Sequence, residues 1–339
     1  MLRRTTLVST ALAVVLAQNA AAVGMDNVKV HGFVNAVGSV SDTRTKYLKS
    51  IDSDGDWTST DYGLNIMAII DPKLTIATQF HGTSEKVVFD WGFGRYQFND
   101  SFAAKGGRMK YTGNLISEYI DVGYAYPWVR PPEVIYSENA DLFFESYNGA
   151  STVFTMGEDE TEYSAEIYTG AEIEDEGISH KKMVGVTLKA VNEDYGEIRL
   201  AYNHSTLLTA PTLSDQSQNG KNKTYVTLGA KGYWNQFELI AEYAQSRVDD
   251  IPAHDAYGAF ATLGYKIGRT MPHITYQKFD KKTGANQSGW TLGVRHFVGS
   301  SISLKFDVQR VTPKGGGLFA SQPSDSSVNI VNAAASFIF

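Results

Sequence analysis

Apolar and polar side chains exchange places at every second position along most of this chain, in short runs separated by turns. Trp290, Leu292 and Val294 alternate with Thr291, Gly293 and Arg295, and Ile198, Leu200 and Tyr202 alternate with Glu197, Arg199 and Asn203. A period of two is the signature of a strand with unlike faces. Read this way, the chain predicts strands over 28–41, 62–70, 74–81, 87–98 and 102–111. A second series runs over 147–156, 163–170, 182–191, 197–207, 223–233, 237–248, 256–268, 273–279, 289–298, 302–311 and 328–339, which brings the count to sixteen.

One stretch does not alternate. Residues 112–146 separate the fifth and sixth strands, and their centre, Tyr124 to Tyr136, carries Pro127, Pro131 and Pro132. Proline has no ladder donor and pushes the residue before it towards extended geometry, so this segment is expected to be a stiff, irregular loop. The other connections alternate in length. Asp71 to Lys73, Asn99 to Ser101, Trp234 to Gln236 and Gly299 to Ser301 are short, whereas Asp42 to Asp61, Leu208 to Asn222 and Thr312 to Ser327 are long and polar.

Alternation alone does not separate a soluble sandwich, whose apolar face packs on a second sheet, from a large barrel, whose apolar face meets lipid. Four further features favour the barrel. Residues 1–22 read as a signal peptide, with a basic head at Arg3 and Arg4, an apolar run from Thr5 to Ala17 and small residues at Ala20 to Ala22. That run is shorter than the roughly 20 residues a spanning helix needs. The strand number is even and the connections are short at one end and long at the other, as in bacterial barrels. The chain also stops on Phe339, with Val331, Ala333, Ala335 and Phe337 on the same face. The absence of cysteine rules out disulfides and thiolate metal sites. The expected fold is therefore all-β, a transmembrane antiparallel barrel of 16 strands over residues 23–339, with 112–146 folded inward.

The leader, the segment from Gly106 to Tyr136 and the terminal run Ala333 to Phe339 together resemble Gram-negative outer-membrane porins. The middle segment resembles a proteobacterial porin-like group in which a Gly-Arg pair ends the fifth strand, here Gly107-Arg108, and a Tyr-Pro-Trp-x-Arg-Pro-Pro run follows, here Tyr126 to Pro132. The resemblance implies a homotrimer in the outer membrane that passes small hydrophilic solutes by diffusion. It also implies contact with lipid and lipopolysaccharide, and insertion by the barrel assembly machinery through Phe339. The loop lacks the acidic signature of the best-known general porins, so their selectivity does not carry over.

A diffusion channel has no reaction to catalyse; its chemistry is width and field at the narrowest point. The candidates there are Arg108, Lys110 and Arg130, opposed by Glu118, Asp121 and Glu133. Arg108 and Lys110 are expected on the lumen face opposite Met109 and Tyr111. For Arg130, a tie to a wall carboxylate is the competing role. Arg199, Lys231, Glu238, Glu242, Arg295, Lys305 and Asp307 are expected to be solvated wall charges. The formal charge of −7 becomes −9 without Arg3 and Arg4, and much of it lies in outer loops, as at Glu172 to Glu176. Acidic mouths favour cations and a basic constriction opposes them, so charge alone leaves the sign open.

Asp52, Asp54 and Asp56 have the spacing of a calcium loop, but Trp57 stands where the sharp-turn glycine belongs, which excludes an EF-hand and leaves at most a loose divalent site. The seven histidines show no metal-ligand spacing. No cofactor and no nucleic-acid partner is expected. The competing functions are a substrate-specific channel, a structural or adhesive barrel plugged by its loop, and a barrel hydrolase using His204 or His254 with a nearby serine.

Overall fold

The computed structural model describes residues 27–142, 144–158, 160–174 and 177–339. The expected leader, 1–22, lies outside the described residues, as do Asp175 and Glu176. The chain forms sixteen antiparallel strands in one closed barrel. In order they are β1 (Val28–Ser41), β2 (Asp61–Ile69), β3 (Leu74–Thr83), β4 (Val87–Asn99), β5 (Phe102–Lys110), β6 (Ser146–Glu158), β7 (Thr161–Glu172) and β8 (Ile178–Asn192). They continue as β9 (Gly196–Thr209), β10 (Asn222–Trp234), β11 (Phe237–Val248), β12 (Ala256–Tyr265), β13 (Thr270–Lys281), β14 (Asn286–Val298), β15 (Ile302–Lys314) and β16 (Val328–Ile338). Each strand pairs with its sequence neighbours, and β1 closes on β16 from Phe33 opposite Ile338 to Ser41 opposite Ile330.

The alternation is realised as expected. Leu200 is 45% exposed on the outside, whereas its neighbour Arg199 is 2% exposed on the inside. Several strands reach further at the loop end than their apolar pattern, because ladder hydrogen bonds need no apolar side chain once the strand has left the lipid band. At β8 a register shift between Lys181 and Val184 also breaks the alternation, and the strand begins at Ile178 rather than Lys182.

The apolar core lies inside the barrel. After β5 the chain turns inward and crosses the lumen, irregular except for short 3-10 turns and one helical turn at Glu133–Tyr136. Leu115, Ile116, Tyr126, Trp128, Val134, Ile135, Leu142 and Phe144 of this loop are buried in one cluster with Tyr147, Tyr168, Tyr225, Phe260 and Phe279 of the wall. Trp128 Nε1 donates to the Thr262 and Thr275 hydroxyls, both at 3.0 Å, and its ring meets Phe260 edge-on at 5.5 Å. Gly258 admits this packing, since a Cβ there would lie 2.2 Å from the Val134 carbonyl oxygen.

Two outer loops cover the crossing loop. The connection after β1, read from sequence as a polar outer loop, buries Tyr47 and Ile51. Tyr47 packs on Phe319 at 4.7 Å and accepts a hydrogen bond from Gln287. Asn139 donates to the Leu48 carbonyl at 2.7 Å.

Truncating a buried tryptophan leaves an uncollapsed cavity and costs about 3–5 kcal/mol in soluble cores. Trp128→Ala is therefore expected to release the loop and raise conductance. It is also expected to lower the temperature at which the folded band disappears in unheated-sample electrophoresis, while Trp128→Phe has a smaller effect on both.

Candidate functional site

The loop is a strut across the full lumen. At one end Asn114 Nδ2 and the Leu115 amide donate to Glu242 Oε1 of β11, at 2.9 and 3.1 Å. At the other, Asp121 accepts from Gln79 of β3 at 2.8 Å. β3 and β11 are half a circumference apart in the ring of strands. A second crossing runs from Arg199 of β9, bonded to Glu118 at 2.9 Å, to Ser39 of β1, bonded by Arg130. Those two strands are also half a ring apart.

The six residues expected at the constriction fall into separate groups. Lys110 and Asp121 belong to the first. The Lys110 ammonium lies 3.0 Å from Asp90 and 2.8 Å from Asp121, and also pairs with Glu145. Among the described residues, Asp90, Asp121 and Glu145 are the carboxylates grouped closely enough for a metal ion. Lys110 already supplies the cation there. Glu118 forms the second group with Arg199, and Arg130 and Glu133 the third, 3.6 Å apart.

The face assigned to Arg108 and Lys110 is corrected by the structure: Met109 and Tyr111 are the side chains buried in the interior cluster. Arg108 Nε bonds the Asp90 carbonyl at 2.6 Å. Lys110 is buried because β5 ends there and the next amide, that of Tyr111, is held by the Glu145 carbonyl. Among the described residues Arg130 pairs with no wall carboxylate; it bonds the Ser39 hydroxyl and the Asn332 side-chain oxygen.

The wall charges point inward as expected, but several are anchors rather than solvated groups. Arg199 also donates to the Thr112 and Asn114 carbonyls, both at 2.8 Å. Glu242 accepts from Tyr136 as well as from Asn114 and Leu115. Asp307 accepts from the Val129 amide at 2.7 Å, and Lys305 donates to the Trp128 carbonyl at 2.7 Å. The physical reason is desolvation: once the loop fills the lumen, a wall charge left unpaired would cost several kcal/mol. Glu238 pairs with Lys231 and Lys266, and Arg295 stacks over Phe297 at 4.6 Å.

Electrostatics in the loop follow from these pairings. Burial, the larger influence taken singly, pushes Asp121 up, but the Lys110 ammonium brings it below 3.8. Glu118 likewise lies below the usual range, its burial outweighed by Arg199 with help from Lys189 and Lys105. Glu145 goes the other way. Enclosure and the nearby Asp121 and Asp90 carboxylates push it up to about 7 in spite of Lys110. The stability signs are opposite. The contribution of Glu145 is present below about 4.5 and is lost as pH rises through about 7. That of Asp121 is present above 3.8 and is lost as pH falls.

The space left beside the strut lies mainly against β4 to β10. An outer cavity of about 560 Å³ is lined by Asp121, Glu138, Asp141, Glu145, Glu172 and Glu174, with Lys223 as the cation among its lining residues. An inner vestibule of about 310 Å³ holds Arg95, Lys105, Lys189 and Arg199 with Glu118, Glu162 and Glu166. Towards β13 to β16 the loop leaves a void of about 10 Å³ between Arg130, Glu133, Gln277, Thr291 and Asp307.

Two other expectations have a structural outcome. Asp52 and Asp56 are used within their own turn, accepting from the Asp54 and Thr58 amides at 2.9 and 3.0 Å. Neither His204 nor His254 is hydrogen-bonded to a serine among the described residues. His180 Nδ1 does lie 2.9 Å from Ser205 Oγ, but that serine is fully buried and Glu172 is 3.9 Å from the other ring nitrogen, so the contact is a tether within the wall.

A closed sixteen-stranded barrel, apolar outside and charged inside, with a loop folded across its lumen, is the architecture of outer-membrane diffusion channels. The sequence agrees: a family model described as Gram-negative porin matches residues 143–316, just over half of the chain, and the chain belongs to that family. No curated protein matches it. Among solved structures it is similar to the anion-selective porin of Comamonas acidovorans, at 13% identity over 92% of this chain and 99% of that one, with a TM-score of 0.63. It is also similar to OmpF of Salmonella typhi in complex with daunomycin, at 14% identity over 92% and 97%, with a TM-score of 0.67. OmpT of Vibrio cholerae gives 12% identity over 93% and 99%, with a TM-score of 0.62. The protein is thus a porin of the outer membrane, and its family and fold are those of non-catalytic channels.

Protonation of Glu145 removes one negative charge from the outer cavity. The ratio of cation to anion permeability is expected to fall as pH drops from 8 to 6. Glu145→Gln is expected to flatten that step, as read from reversal potentials across a salt gradient.

Proposed function

We propose that the channel passes small hydrophilic solutes by passive diffusion, favours cations over anions, and works as a homotrimer. The observation that carries the sign is the outer cavity, whose six carboxylates are paired with fewer cations: Lys110 serves Asp121 and Glu145, Lys223 and Lys281 serve Asp141, and Lys49 serves Glu138. The inner vestibule holds four cations against three carboxylates, so it opposes the outer excess by one charge. The field is local, since screening limits it to about 8 Å at physiological salt, but the cavity walls lie within that range. In this reading Lys110, Asp121, Glu118, Arg130 and Glu133 hold the loop that narrows the lumen, and Arg108 stands at its edge.

The trimer is supported by OmpT of Vibrio cholerae, whose structure is described as a trimer form. The exposed apolar band, including Leu228, Leu292 and Phe306, suits lipid. Phe339 is exposed and paired through two backbone hydrogen bonds to Gly32, which suits recognition by the assembly machinery. A substrate-specific channel is the second reading, favoured by the buried aromatic residues that separate the two cavities.

The test is single-channel recording of the refolded protein in a planar bilayer. Current steps in groups of three with a cation-selective reversal potential are expected. Anion selectivity would reverse the sign, and folded barrels without current would point to a lumen closed by its own loop.

A further inference from the structure

We propose that solutes cross on the β6 to β10 side of the loop, and that Tyr168, packed with Tyr111, is the side chain that sets their size limit. This rests on the passive-diffusion reading above. The opposite side is sealed. There Trp128 and Val129 are buried, Glu133 accepts from Gln277 and Gln309 at 3.3 and 3.2 Å, Val129 is bonded to Asp307, and Arg130 is bonded to Asn332. The void between Arg130, Glu133, Gln277, Thr291 and Asp307, about 10 Å³, has room for a single water.

Against β7 to β9 the two cavities are stacked on the same wall. On β7 the inward positions run from Ser164 and Glu166 in the inner vestibule, through Tyr168, to Glu172 in the outer cavity. On β9 they run from Arg199 in the inner to Asn203 in the outer, with Ala201 between. One inward position on β9, Ala201, and two on β7, Tyr168 and Gly170, separate the cavities, and because Gly170 carries no side chain the partition is about one side-chain layer thick. That layer is aromatic. Tyr111 packs on Phe144 at 4.2 Å and on Tyr168 at 6.0 Å, and Tyr147 packs on Tyr168 at 5.0 Å. Tyr111 is 0% and Tyr168 3% exposed, so these rings close the way between two charged, water-accessible spaces. Tyr168 is fixed by Asn203, whose side-chain amide donates to its hydroxyl at 2.8 Å. A polar solute that leaves the carboxylates of the outer cavity must part these rings before it meets Arg199 and Lys105.

The chain has no cysteine, so single cysteines report the route directly. Ser164→Cys, Thr187→Cys and Glu172→Cys lie on it; Thr275→Cys and Thr291→Cys lie on the sealed side. With a charged, membrane-impermeant methanethiosulfonate added during single-channel recording, the first three are expected to lose half or more of their current and the last two to lose none. Tyr168→Ala is expected to raise unitary conductance at least twofold and to admit larger neutral sugars in liposome swelling. Block from Thr275→Cys and Thr291→Cys without block from the other three would overturn the route. Unchanged conductance and size limit in a heat-modifiable Tyr168→Ala barrel would overturn the role of the ring. A silent parent with a conducting Tyr168→Ala would support the layer and overturn unassisted diffusion, whereas silence in every folded variant would overturn both.

Discussion

Water inside the barrel is the constraint on which the rest of this structure depends. An open lumen solvates the charges of its wall, and a lumen filled by chain does not. Once the loop after β5 occupies the middle of the barrel, inward charges at that height require partners, and most of those described have one, while Arg295 stacks over Phe297. Glu242 receives three donors from the loop, Arg199 gives two hydrogen bonds to loop carbonyls and pairs with Glu118, and Asp307 and Lys305 grip the two ends of one peptide group, the Val129 N–H and the Trp128 carbonyl. The loop is held by electrostatics at its margins and by aromatic packing at its centre.

Lys110 shows the same principle at its most demanding. Three carboxylates share one ammonium, an arrangement with excess negative charge in a confined space. The excess is reduced by the most exposed of the three acids, Glu145, which holds its proton up to about 7, while Asp121 stays ionised. The outer cavity therefore has a charge that depends on the medium. A fixed ring of arginines would not behave this way, since guanidinium does not titrate.

Much of the architecture was legible in the chain. Period-two alternation gave all sixteen strands, and three prolines marked the one long segment unable to join the sheet. Strand ends were less legible, because hydrogen bonding at the loop end continues past the lipid band and the bulge at Lys182 and Met183 interrupts the pattern. The candidate site was legible only in its membership. Lys110, Glu118, Asp121, Arg130 and Glu133 all lie in or beside the loop, but no spacing shows that Glu118 reaches β9 while Asp121 reaches β3. One signal was present and unread. Tyr168 shares its face with Ser164 and Glu166, and Tyr225 shares its face with Lys223 and Thr227. A large ring on the polar face of a barrel strand announces that something apolar will sit inside.

The Arg130 contacts have a consequence for how the barrel is made. Ser39 and Asn332 belong to the first and last strands, so one guanidinium spans the seam where the sheet closes on itself. Nearby, Gly123 approaches both Asn35 and Ser336 so closely that a Cβ there would lie 2.4 and 2.7 Å from their side chains. The seam is thus fastened from within by a segment that lies between β5 and β6. Such a segment cannot be threaded through a finished cylinder as easily as it can be wrapped by a closing one. The internal strut belongs to the closure of the barrel as much as to its traffic, because the middle of the sequence ties together the two strands at its ends.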